Sequence, residues 1–140
     1  MSRWILTVIA GVLLIAPAFA QNQPLACQAD KAAGLDWERN EWEVTEFKPN
    51  PAKFILVLTG NSLNLESVKK VFDDAERIPT CSVHSFTGQI LCTSGYINGN
   101  SLFFSPRSMK GARATLFGGT QQGPEKRDSV SVTTFTCQPF

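Results

Sequence analysis

Hydrophobic and polar positions change texture along this chain, and each texture predicts a different element. Residues 4–15 are nearly all apolar, with Arg3 ahead of them and Ala18-Phe19-Ala20 behind. A positive start, an apolar run and a small-x-small exit make residues 1–20 read as a secretory signal peptide cleaved after Ala20. The run is short for a bilayer span, and Gln21-Asn22-Gln23-Pro24 breaks it abruptly. Residues 21–140 are then expected to form a single β-rich domain.

Within that domain, residues 26–34 read as a short helix or turn. Residues 37–47 read as a hairpin or bent strand with Arg39-Asn40 near its bend, and Trp42 and Val44 share one face while Glu43 and Thr45 take the other. Phe54-Ile55-Leu56-Val57-Leu58 is apolar at every position, the pattern of a strand buried on both faces. Leu65, Val68, Val71 and Phe72 recur at helical spacing behind Asn64 as an N-cap, which predicts one short helix. From residue 81 onward short strands are expected at 81–86, 89–93, 101–105, 112–117 and 129–136. Gly95, Asn98-Gly99, Pro106, Gly118-Gly119 and Gly123-Pro124 punctuate them. The fold class is mainly β: a small antiparallel barrel or sandwich with one short helix and two disulfides.

The disulfides follow from cysteine count. Cys27, Cys81, Cys92 and Cys137 all lie beyond the leader, and an even number in an exported chain reads as a disulfide framework with three possible pairings. A two-residue loop at Phe86-Thr87 would set Cys81 opposite Cys92, so those two are expected to bridge a hairpin and Cys27 to join Cys137. The competing use of Cys27 is lipidation, because Leu25-Ala26-Cys27 loosely matches a bacterial lipobox. Pro24 stands where an aliphatic residue belongs, so soluble export is preferred. Metal binding is disfavoured because the chain has no Cys-x-x-Cys spacing and a single histidine, His84.

Charge narrows the partners. The chain carries 13 Lys plus Arg against 12 Asp plus Glu, and loss of Arg3 with the leader brings the two level. No general pull towards nucleic acid follows, and no stable membrane insertion is expected after cleavage. Acidic residues crowd the first part (Asp30, Asp36, Glu38, Glu41, Glu43, Glu46), and basic ones the last (Arg107, Lys110, Arg113, Lys126, Arg127). They make solvated faces or a steering patch.

Catalytic signals are weak. There is no Gly-x-Ser-x-Gly elbow to pair with His84. The acidic residues cluster near one strand, where alternate positions face water, rather than flanking a cleft. In Gly118-Gly119-Thr120-Gln121-Gln122-Gly123-Pro124 a proline takes the place of the phosphate-loop lysine. No catalytic residue, metal ligand or cofactor is assigned. The series Arg107, Lys110, Arg113 is a candidate for holding a partner's anionic group. The many aromatics, among them Trp37, Trp42, Phe47, Phe54, Phe103, Phe104, Phe117 and Phe135, either pack a core or line the mouth of a barrel for a small apolar ligand.

Two resemblances extend this reading. Cys27, Gly34-Leu35-Asp36-Trp37 with Trp42, Lys110-Gly111-Ala112, Leu116-Phe117-Gly118-Gly119 and Phe135-Thr136-Cys137 together resemble a group of small exported bacterial proteins of no assigned function. More locally, Ser94-Gly95-Tyr96, Asn98-Gly99, Phe103-Phe104 and residues 110–116 are similar to the periplasmic inhibitors of C-type lysozyme. Members of that family are small antiparallel barrels that insert a loop into the lysozyme cleft. The resemblance would make Ser94 and Tyr96 partner contacts, although the family's serine-glycine-x-x-tyrosine loop is two residues short here. The expected function is a non-catalytic exported binding domain, periplasmic or secreted, with a protein partner preferred and a small apolar ligand as the alternative.

Overall fold

The computed structural model describes residues 22–38, 41–72, 78–94, 99–116 and 129–140, without the side chains of Trp37, Glu38 and Ser129. The expected signal peptide lies outside these residues. Among them the chain forms nine antiparallel strands and one helix. These are β1 (Asn22–Glu38), β2 (Glu41–Phe47), β3 (Lys53–Thr59), β4 (Ser62–Leu63), α1 (Leu65–Phe72), β5 (Thr80–Val83), β6 (Ile90–Thr93), β7 (Ser101–Ser105), β8 (Lys110–Thr115) and β9 (Ser129–Pro139).

The strands lie in the order β4-β3-β1-β9-β8-β7-β6-β5, with β2 also paired to β1. β4 comes close to β5, so the sheet is a nearly closed barrel. The long strand β1 takes β9 on one side and, on the other, β2 beside its second half and β3 beside its first. The segment around the cis Asn50-Pro51 bond joins β2 to β3.

Residues 26–34 are strand, not helix or turn. The pattern concealed this because a bulge between Ala29 and Lys31 breaks the two-residue alternation. The alanines there give little strand signal, and burial between two neighbouring strands overrides it. Leu25, Cys27, Ala29 and, past the bulge, Ala32 all face inward and are buried. β3 also departs from expectation: Leu56 is fully buried, but Ile55 is 53% exposed, since only one face of that strand meets the core.

Helix α1 forms where periodicity places it. The Ser67 N–H donates to the Asn64 side-chain oxygen at 3.2 Å, so Asn64 is the N-cap. Val68, Val71 and Phe72 enter the core with Leu25, Leu56, Leu63, Ile90, Leu102, Phe104 and Phe135. Phe135 stacks on Phe104 with centroids 6.3 Å apart and meets Phe54 edge-on at 5.1 Å. These side chains fill the barrel interior.

Both disulfides pair as expected, Cys27 with Cys137 and Cys81 with Cys92, each linking register partners on neighbouring strands with Cα atoms 4.0 Å apart. The Cys137 N–H donates to the Met109 carbonyl on the far side from β1. Cys27 and Cys137 therefore form a non-hydrogen-bonded pair, the kind whose Cα atoms approach most closely. The β5–β6 register agrees with the sequence, but the turn is longer than two residues. His84 pairs with Gln89 and accepts from the Gly88 N–H, with Gly88 at φ 67°. Two disulfides fit an oxidising environment.

Candidate binding surfaces

The five positions singled out from the sequence are not gathered into one site. Ser94 is buried, and its N–H and hydroxyl both donate to the Asn100 carbonyl, at 2.9 and 3.4 Å. It thus links the end of β6 to the residue before β7; Tyr96 lies outside the described residues. Arg107 is exposed in the turn between β7 and β8. Lys110 and Arg113 are both on β8 but on opposite faces. Lys110 stands opposite Ser105 and Thr136 on the outside, whereas Arg113 stands opposite Leu102 and Thr133, both buried. The Arg113 guanidinium donates to the Val71 carbonyl at 2.8 Å and the Asn50 carbonyl at 2.7 Å. It ties the end of α1 to the turn before β3, using the planar fork that only arginine offers.

His84 is exposed in the β5–β6 turn, where its Nδ1 accepts from the Thr87 N–H at 3.3 Å. Among the described residues no three of His, Cys, Asp and Glu gather as a metal site requires. No helix among them is long and apolar enough to cross a membrane. The glycine-rich segment 118–123 lies outside the described residues, as does Phe117.

Two surfaces stand out instead. The first is the outer face of β2, β1 and β9. Trp42 and Val44 on β2, Leu35 on β1 and Val132 on β9 all point outward by register, and Leu35 is the direct partner of both Val44 and Val130. Val44 is 85% exposed and Val132 47%. Farther round the outside, Phe103 on β7 stands opposite Leu91 on β6, both exposed, in the row of Ala112 and Thr134. At the hairpin end Asp36 is the register partner of Glu43, and Glu38 of Glu41. Side chains alternate along a strand, so Asp36 and Glu43 lie on the opposite face of the β1–β2 pair from Leu35, Val44 and Trp42.

The second surface is a groove of about 870 Å³ between β3 and α1. Ile55, Val57, Phe54, Ala26 and Val71 give it an apolar lining, with Lys53, Lys70 and Glu66 among its polar groups. One end is fixed where Val57 donates to the Ser67 hydroxyl at 3.1 Å and accepts from the Asn64 N–H at 2.7 Å. The Arg113 tie between Val71 and Asn50 fixes the other.

Sequence reasoning missed the groove. The unbroken run from Phe54 to Leu58 hid the fact that Lys53, Ile55 and Val57 share one side of β3; Lys53 as the first residue of that side was the available signal. No family model, curated protein or solved structure matches this chain.

Proposed function

We propose that this protein is a non-catalytic binding domain, exported to the periplasm or the extracellular space, which recognises another protein through the outer face of β2, β1 and β9. The observation that carries this reading is the exposure of Val44, 85%, on one face with Trp42, Leu35 and Val132. Contiguous exposed apolar side chains rimmed by charge are the usual mark of a protein contact. A filled interior favours recognition on the outside over a small ligand held within.

Export is supported by the leader pattern of residues 1–20 and by the two disulfides. Protein recovered from its native host is expected to begin at Gln21 and to contain no free thiol.

The test places a photo-crosslinking side chain at position 44 in the native host. The expected outcome is a defined adduct with one protein, lost in a Trp42→Ala plus Leu35→Ser variant whose melting temperature matches the wild type. Equal capture by that variant, or a crosslink pattern no different from one at exposed Ser82 on the β5 strand, overturns the reading.

A further inference from the structure

The groove between β3 and α1 has a backbone character that its apolar lining does not by itself reveal. In a strand, successive residues turn their N–H and C=O to opposite sides. Val57 uses both on the side away from β1, towards Ser67 and Asn64. Ile55 and Lys53, two and four residues earlier, therefore turn theirs to that same side. Among the described residues no backbone group bonds them there. β4 covers the edge only at Leu58 and Thr59. Among the described residues, Lys53 to Ile55 is thus an open strand edge, facing a helix across the groove.

We propose that this groove is a strand-addition site for an extended peptide segment of a partner protein, apolar at alternate positions and acidic towards its C-terminal end. The open edge spans three residues, about 10 Å at strand rise, which matches a segment of three or four residues. Its volume of about 870 Å³ is of the size that buries such a segment. Main-chain bonds to Ile55 and Lys53 supply the affinity, and Ile55 and Val57 receive the apolar side chains.

Charge sets the direction. α1 runs back along β3, since its start is held at Val57 and its end at Asn50. Lys70 on the last turn and Lys53 at the strand start therefore make one end of the groove positive, while Glu66 on the first turn makes the other negative. A segment lying antiparallel to β3 ends at the two lysines, where acidic side chains are complemented.

The proposal goes beyond the outer-face reading and is tested apart from it, because neither Lys53 nor Lys70 belongs to the Trp42, Leu35 and Val132 set. The oxidised protein is panned against a phage library of random hexapeptides, in parallel with a Lys53→Glu plus Lys70→Glu variant. Wild type is expected to enrich sequences with alternating apolar residues followed by Asp or Glu. The best peptide, made synthetically, is expected to bind the double variant about tenfold more weakly, two exposed ion pairs being lost. It is also expected to slow hydrogen exchange at the Ile55 amide.

An Ile55→Pro variant removes that outward donor while leaving the β1 ladder bonds in place, and is expected to lose binding with both disulfides retained. Lys53→Glu plus Lys70→Glu carries the test if Ile55→Pro does not fold. No enrichment of acidic sequences over the double variant, equal binding by both proteins, or exchange protection at β2 instead of Ile55 overturns the proposal.

Discussion

Gly111 stands opposite Phe135 in the β8–β9 ladder, and the phenyl ring fills the space that a side chain at 111 would need. A Cβ built there would meet the ring Cζ and lie 2.6 Å from Cε2, with the Phe103 carbonyl closing the other side. Phe135 is 1% exposed and held against Phe104 and Phe54, so the ring has nowhere to go. Gly111→Ala is expected to cost about 3 kcal/mol through overpacking, read as a lower urea midpoint with an unchanged slope.

The two disulfides close loops of very different length, with sequence separations of 110 and 11 residues. On chain entropy the first stabilises by about 5 kcal/mol and the second by about 3 kcal/mol. Cys27→Ser plus Cys137→Ser is therefore expected to lower the melting temperature further than Cys81→Ser plus Cys92→Ser. Calorimetry on the two double variants checks the order.

Ser67 matters more to α1 than its cap does. Asn64→Ala removes the bond to the Ser67 N–H and is expected to cost about 1 kcal/mol. Ser67→Ala also strands the Val57 N–H, which donates to the Ser67 hydroxyl, and is expected to cost about 2 kcal/mol. Ser67→Ala should further speed hydrogen exchange at Val57, which the cap variant should not.

Arg113→Lys tests whether the fork shape or the charge holds α1. A single ammonium does not reproduce the planar fork that reaches both the Val71 and Asn50 carbonyls. The expected loss is about 1 to 2 kcal/mol, with exchange accelerated in α1 and at the start of β3 but unchanged in β6 and β7.

How much of this was legible depends on how locally each feature is encoded. α1 could be read because its apolar spacing and its Asn64 cap lie within one short segment. The Cys81–Cys92 pairing could be read because the intervening residues are symmetric about Phe86 and Thr87, although the turn proved wider. β1 resisted because the bulge after Ala29 shifts the alternation and its alanines carry no preference for strand. The two surfaces resisted for a different reason. An outward face such as that of Trp42, Leu35 and Val132 is assembled across three strands, and no spacing along the chain records it. Arg113 looked like a surface charge, since nothing in its neighbours announces two carbonyls far away in sequence.

β1 and β9, the earliest and latest strands described, lie side by side, bonded to each other near the middle of the sheet. During synthesis β1 therefore waits for a partner that emerges about a hundred residues later. Assembly of the sheet is a late, non-local event, of the kind that proceeds in milliseconds to seconds rather than microseconds. A nascent chain halted before β9 holds its hairpins without a shared centre, and so stays open to threading through a narrow channel until its final strand arrives.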